Sequence, residues 1–197
     1  MATETLKFEI SEQDSNYELR QYKEYLTASI EIEAGFIDAL NSGFRILSDY
    51  YAGSNWSKTP VDVKGALAMG VASHEKISTT TPVLVKMVVE GEKYEISFIL
   101  PAKYTKDNIP EPFNKNIKFS RVKPCKAAVI MNRGHMDDAI AIEKASDLRS
   151  WVEQKGVRYK SKIIFAVFLS LLTPSRFRRW EVLTKVDDAL DNAELEP

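Results

Sequence analysis

The stretch of sequence that decides the fold is residues 26–53, LTASIEIEAGFIDALNSGFRILSDYYAG. Apolar and polar residues alternate over 26–33, which predicts a β-strand with one solvent-facing side. Beyond Gly35 the apolar spacing changes to three and four residues, which is typical of an amphipathic helix. We expect this helix to have Asp38 as its N-cap and to stop at Gly53. Its predicted apolar stripe consists of Leu40, Phe44, Leu47 and Tyr51.

The same order of elements returns in residues 127–156, AAVIMNRGHMDDAIAIEKASDLRSWVEQKG. The strand-to-helix junctions match, because residues 35–39 read GFIDA and residues 134–139 read GHMDDA. Each copy is followed by two predicted strands, over 81–90 and 94–100 in the first copy and over 158–169 and 180–186 in the second. Since neither copy can bury its sheet face alone, the repeat predicts one α+β domain, with a single curved sheet or barrel and two helices outside.

Two segments lie outside this repeat. Residues 56–74 form a long connection, which in a compact domain indicates a functional or a disordered loop. Residues 187–197 carry five acidic residues and no basic one, which is typical of a solvated tail. We therefore predict a single domain over residues 1–186 with an inserted loop, followed by a flexible acidic tail.

Composition excludes several classes of protein. The 27 Lys and Arg residues are balanced by 28 Asp and Glu residues, which argues against a nucleic-acid-binding protein. The single cysteine, Cys125, can form neither an intrachain disulfide nor a structural zinc site. The N-terminus lacks a secretory signal pattern, and the apolar run 163–172 is too short to span a membrane. We expect a cytoplasmic protein with no membrane span, and nothing in the sequence identifies a protein partner.

Catalytic signatures are missing from the sequence: it has no glycine-rich phosphate loop, no G-x-S-x-G and no H-E-x-x-H. His74 and His135 can each be a metal ligand or an ordinary exposed or capping histidine. Cys125, next to a proline at the start of a strand, is best interpreted as a buried structural thiol. These observations favour a binding protein over an enzyme.

Charged residues cluster before the last strand. Arg176, Arg178 and Arg179 provide donors suited to carboxylates or phosphates, or else belong to a solvated loop. Alternation places Glu181 on one strand face with Leu183 and Lys185. A glutamate in that position can form a structural salt bridge with an arginine, hold a cationic ligand or act as a general base.

Six motifs in order resemble the SOUL heme-binding protein family. They are YELRQY (17–22), GFRILSDY (43–50), KISTTTPV (76–83), SFILP (97–101), PEP (110–112) and RRWEV (178–182). The resemblance implies a distorted antiparallel β-barrel of two pseudo-repeats with two flanking helices. It also implies kinship with GyrI-like small-molecule-binding domains.

The resemblance further implies non-covalent binding of heme or another tetrapyrrole in an apolar groove beside the first helix. A porphyrin is a flat apolar disc with two carboxylates, so it requires aliphatic walls and a basic rim. The implied groove residues are Asn41, Phe44, Arg45, Leu47, Ser48, Tyr51, Phe168, Leu169, Leu171 and Leu172. His74 or a groove tyrosine would be the axial ligand of the heme iron.

The leading hypothesis is a tetrapyrrole-binding protein that acts in buffering, transport or sensing, with heme not required for folding. One alternative is a GyrI-like small-molecule-binding protein, or a hydrolase, that uses Glu181 in the same cavity. Another is an interaction protein whose first helix is the partner-binding element.

Overall fold

The computed structural model describes residues 4–58, 74–160, 162–168 and 178–187. Within these ranges, the chain forms two long helices and a series of mostly antiparallel strands. In chain order, the elements are β1 (Glu4–Thr5), β2 (Phe8–Asp14), β3 (Tyr17–Tyr22), β4 (Tyr25–Glu33), α1 (Phe36–Ala52), β5 (Asn55–Trp56), β6 (Thr80–Thr81), β7 (Val83–Val89), β8 (Lys93–Ile99), β9 (Glu111–Pro112), β10 (Lys118–Val122), β11 (Cys125–Arg133), α2 (Asp138–Gln154), β12 (Arg158–Tyr159), β13 (Ile164–Val167) and β14 (Arg179–Asp187).

The main sheet has the strand order β10-β4-β8-β7-β13-β14-β11-β3-β2 and curls into a half-barrel. Short pairs β1–β6 and β5–β9 lie outside this path, and β12 pairs with β14. The predicted repeat is confirmed, since β4-α1-β7-β8 and β11-α2-β13-β14 have the same order along the chain. Their six strands occupy the sheet symmetrically about the β7–β13 pair, which joins the two halves into one α+β unit.

The two helices begin close together. The prediction that Asp38 caps α1 is wrong: the N-cap is Gly35, and Asp38 lies in the first turn. Asp138, the first residue of α2, accepts hydrogen bonds from the backbone N–H groups of Phe36 and Ile37 at 3.3 and 3.2 Å. The unsatisfied donors of α1 are therefore capped by the other repeat, which no local pattern could indicate.

Some predicted strand boundaries differ from those observed. The strand predicted over 158–169 is divided into β12 and β13, and strands β2, β3 and β10 were not predicted. Asp187, predicted to start the acidic tail, instead ends β14 and forms an ion pair with Lys160 at 2.5 Å. Residues 188–197 lie outside the described part of the chain.

The sheet has two different faces. Along β14, Trp180, Val182 and Val186 belong to the main core beneath α1 and α2. Leu183 belongs to a second apolar cluster on the opposite face. Glu181 and Lys185 border the cavity on that second face, so the predicted alternation is confirmed. Neither helix of the described residues is long and apolar enough to cross a membrane.

Candidate ligand-binding sites

The outer side of α1 carries four of the predicted groove residues, which we call the α1 surface: Asn41, Phe44, Arg45 and Ser48. Asn41 and Arg45 are exposed, and Ser48 is half-buried. Phe44 is 37% exposed, and its ring centroid lies 5.3 Å from that of Phe98 on β8. An aromatic side chain exposed beside an arginine is suited to contact a flat apolar molecule with acidic groups.

Two other predicted groove residues, Leu47 and Tyr51, lie in the core beneath α1. Leu47 is completely buried, and the Tyr51 hydroxyl donates a hydrogen bond to the carbonyl oxygen of Ile99 at 3.1 Å. Burial raises the pKa of Tyr51, with a further upward contribution from Tyr50. This hydroxyl therefore stays protonated and committed to the backbone, which does not suit it to ligate iron.

Phe168 lies on the opposite face of the sheet from α1. Along β13, Phe165 and Val167 pack in the helix-covered core, whereas Ala166 and Phe168 pack with the second cluster. The Phe168 ring centroid is 4.7 Å from the guanidinium carbon of Arg179. The structure thus does not bring Phe168 together with the α1 surface. The remaining predicted groove residues, Leu169, Leu171 and Leu172, lie outside the described residues.

His74 lies beside the end of α1. A Cβ atom placed on Gly53 would be 3.7 Å from the Cβ atom of His74. Its Nδ1 atom is 3.1 Å from the carbonyl oxygens of both Gly53 and Asn55. A proton on Nδ1 can be donated to either oxygen, and this tautomer leaves a lone pair on Nε2. Histidines that bind metals commonly have this arrangement. The described residues contain no group of three or more metal-ligating side chains.

Two aromatic side chains flank His74. The Trp56 ring is stacked at a centroid distance of 5.6 Å, and the Phe113 ring contacts it edge-on at the same distance. Both flanking side chains are more than two-fifths exposed. The three side chains, which we call the His74 cluster, present an aromatic surface to solvent close to α1.

Hydrogen bonds from Asn55 and Glu75 hold the His74 cluster in place. Asn55 is completely buried, and its amide nitrogen donates to the carbonyl oxygens of Tyr50 and Glu75 at 2.9 and 2.8 Å. The Glu75 carboxylate accepts hydrogen bonds from Tyr104 at 2.6 Å and from Ser57 at 3.1 Å. Burial alone would raise the pKa of Glu75, but these donors, together with Lys103, lower it.

Glu75→Gln is expected to lower the free energy of unfolding by about 1–2 kcal/mol at pH 7, because the hydrogen bonds to a charged acceptor become weaker. The pKa of Glu75 in the folded protein lies below the ordinary value of 4.5. The stabilisation is therefore complete above pH 4.5 and is lost as the pH falls through the folded-state pKa. Urea denaturation at pH 7 and pH 3.5 measures both effects. Glu92→Gln, at an exposed position, serves as the control. An equal deficit for Glu75→Gln at the two pH values would contradict this account.

An apolar cavity of about 230 Å³ lies on the sheet face opposite the helices, and we call it the inner-face cavity. Strands from both repeats and the N-terminal segment contribute to its wall. The main apolar contacts come from Leu6, Phe8, Leu84, Ile164, Phe168 and Leu183. No sequence motif indicates this cavity, because its wall combines single residues from many separate strands.

A buried network of charges forms one side of this cavity. The Arg20 guanidinium donates to Glu18 Oε2 through Nε at 2.6 Å. It also donates to Glu181 through Nη1 at 2.7 Å and Nη2 at 3.0 Å. Arg179 donates to Glu181 Oε1 through Nε at 3.0 Å and also through Nη2. The structural salt bridge among the three sequence-based alternatives is therefore observed, since both carboxylate oxygens of Glu181 accept from arginines.

The other sequence candidates have ordinary surroundings. Cys125 is half-buried at the edge of the inner-face cavity, and burial raises its pKa. His135 is exposed, with Nε2 3.7 Å from a carboxylate oxygen of Asp137. Arg178 is exposed, and Arg176 lies outside the described residues.

Solved structures with the same fold include the C-terminal domain of EcmrR, a GyrI-like protein, and a hydrolase. The EcmrR C-terminal domain matches with a TM-score of 0.60 and 14% identity, covering 87% of this chain and 96% of that one. A hydrolase from Listeria innocua matches with a TM-score of 0.55 and 10% identity, covering 90% and 94%. EcmrR in a DNA complex matches with a TM-score of 0.61 and 13% identity over 89% of this chain, which spans 59% of that protein.

At these identities the structural likeness shows the fold alone. The family is shown by sequence, because the model of the SOUL heme-binding protein family matches residues 3–185. The chain belongs to the SOUL heme-binding protein family. A comparison with curated proteins found no match.

Proposed function

We propose that this protein binds heme or a related tetrapyrrole non-covalently at the α1 surface, in buffering, transport or sensing. Membership of the SOUL family supports the ligand class. The observation that carries the proposed location is Phe44, which is 37% exposed while the other aromatic side chains of α1 are buried. The Phe44 ring packs on Phe98 and lies next to the exposed Arg45 on the outer side of α1, which suits contact with a flat apolar molecule that carries acidic groups.

The residues at this surface fit part of a tetrapyrrole. Phe44, supported from below by Phe98, offers an apolar contact to the macrocycle. Arg45 offers a charged donor for a propionate, and Asn41 and Ser48 offer polar contacts at the rim. We further propose that Leu169, Leu171 and Leu172 complete the apolar wall. Bound heme would supply an iron atom and a strong absorption band in the visible range.

We propose His74 as the axial ligand, through Nε2. The hydrogen-bonding of Nδ1 to backbone carbonyls supports this role, because it fixes the tautomer with a lone pair on Nε2. His74 lies beside Gly53, which follows Phe44 by nine positions. This spacing corresponds to roughly 13 Å along a helix axis. Phe44 and His74 would therefore both hold the heme, Phe44 through an apolar contact with the macrocycle and His74 through the iron.

A hemin titration followed by visible absorbance tests this function. We expect a saturating one-to-one Soret shift, and Phe44→Asp should weaken binding about tenfold or more, because a carboxylate replaces the apolar contact. Ile142→Asp is the matched control, since Ile142 is 42% exposed on α2 and should be replaceable without effect. His74→Ala should move the Soret maximum with a smaller effect on affinity. A weak, unsaturable shift equal to that of an unrelated protein would mean that heme is not the ligand.

A second candidate function is the binding of a small molecule in the inner-face cavity. The observation that favours it is the cavity itself, which is apolar and has a buried charged cluster in its wall. Hydrolysis with Glu181 as general base is less favoured, because two arginines already hold both of its oxygens.

A further inference from the structure

We propose that the inner-face cavity binds an apolar molecule bearing a carboxylate, with Arg179 as the anchor for the carboxylate. This inference rests on the second candidate function and specifies its ligand class. It is independent of the α1 surface, which lies on the other side of the sheet.

The size of the cavity limits the ligand to a small molecule or to the tail of a larger one. At about 30 Å³ of liquid volume per water molecule, 230 Å³ corresponds to the space of roughly eight waters. This is less than the 300 Å³ or more that encloses a typical drug-sized ligand, so the cavity does not enclose a tetrapyrrole. A short aliphatic chain or a single aromatic ring fits its volume and its apolar wall.

The charges of the wall favour an anion over a cation. The described wall contains three basic residues, Arg20, Arg179 and Lys185, and one acidic residue, Glu181. Glu181 is 1% exposed, and both of its oxygens accept hydrogen bonds from Arg20 or Arg179. An entering cation would have to compete with two arginines for this carboxylate, and it would meet their charges in a poorly hydrated space.

Arg179 has the geometry of an anchor at the cavity mouth. Its Nε and Nη2 atoms donate to Glu181, whereas Nη1 has no hydrogen-bond partner among the described residues. The guanidinium lies over the Phe168 ring, which fixes its orientation, and the side chain is 43% exposed. The edge formed by Nη1 and the second hydrogen of Nη2 can bind a carboxylate in a bidentate manner. A tail attached to that carboxylate would lie against Leu84 and Ala166.

Three probes with an eight-carbon chain but different charge test the proposal: octanoate, octanol and octyltrimethylammonium. Binding is measured from backbone amide chemical shifts of the isotope-labelled protein. Octanoate is expected to bind with a dissociation constant on the order of 0.1 mM, given its few atoms. Octyltrimethylammonium should bind about tenfold more weakly or worse, and the shifts should concentrate in β13 and β14.

Variants assign the site and the anchor. Arg179→Met should weaken octanoate binding about tenfold while leaving octanol binding unchanged, because only the charged contact is lost. Lys106→Met, which removes a charge at an exposed position away from the cavity wall, should change neither affinity. Ala166→Leu should abolish binding of octanoate and octanol, because the larger side chain fills the cavity. If Ala166→Leu does not fold, the location of the shifted amides in the unmodified protein decides the site.

The outcomes separate this inference from the function on which it rests. If octyltrimethylammonium binds as tightly as octanoate, the carboxylate class is wrong while small-molecule binding in the cavity stands. If none of the three probes binds, or if shifts lie away from β13 and β14, both the inference and the second candidate function fail. Hemin binding by the Ala166→Leu variant is measured in parallel. If this variant no longer binds hemin, the inner-face cavity and the α1 surface are not independent sites.

Discussion

Arg20→Met is expected to lower the free energy of unfolding by about 3–5 kcal/mol, the usual cost of removing one partner from a buried ion pair. Arg20 is 1% exposed and is the common donor to Glu18 and Glu181. The substitution would leave Glu18 without its arginine and Glu181 with Arg179 alone. It would also remove the cation–π contact with Phe8, whose ring centroid is 4.0 Å from the guanidinium carbon. Urea denaturation at pH 7, followed by circular dichroism, measures the change.

Two further variants make this expectation specific. Lys106→Met removes a charge at an exposed position and should change stability by less than about 0.5 kcal/mol. The triple variant Arg20→Met, Glu18→Gln, Glu181→Gln should recover a large part of the loss, because no uncompensated charge remains. A deficit below about 1 kcal/mol for Arg20→Met would show that these carboxylates are solvated and that the buried network is described wrongly.

The features of the fold that follow from local sequence were predictable. Alternation along β14 was predicted on the correct faces, and three of the four residues predicted for the apolar stripe of α1 (Leu40, Leu47 and Tyr51) are buried, whereas Phe44 is exposed. By contrast, Arg20 and Glu181 are 161 positions apart, and the Asp138 cap reaches a helix start 102 positions away. Strand β3 was missed because its buried face includes charged residues, which do not produce an alternation of apolar and polar types.

In the candidate sites too, features set by neighbouring residues were predictable, whereas contacts between residues distant in sequence were not. The helical spacing that places Phe44 at the edge of the buried stripe also places Leu47 and Tyr51 within it, so their burial was foreseeable from the period. Phe168 was grouped with the α1 residues, although its alternation with Phe165 and Val167 already indicated the other face. The charge network beside the cavity depends on strand neighbours that are distant in sequence, and no motif encodes those neighbours.

Gly43→Ala is expected to destabilise the protein by about 1–3 kcal/mol, although alanine is the better helix former by about 1 kcal/mol. Gly43 lies in the middle of α1, where the helix crosses β8. A Cβ atom there would lie 2.6 Å from both Cβ and Cγ1 of Ile96, a completely buried residue of that strand. The added methyl group therefore forces α1 away from the sheet or displaces Ile96.

Helix propensity and packing predict opposite signs for this substitution, so a thermal or urea unfolding curve decides between them. Ser42→Ala is the matched control, because it adds helix propensity at the neighbouring, half-buried position and should be neutral or slightly stabilising. Ile96→Ala removes the two γ carbons at 2.6 and 3.1 Å but keeps the Cβ atom at 2.6 Å, so the double variant should lose slightly less stability than the sum of the two single variants. A gain in stability for Gly43→Ala alone would mean that α1 does not approach β8 this closely. The absence of a side chain at residue 43 would then have no structural role.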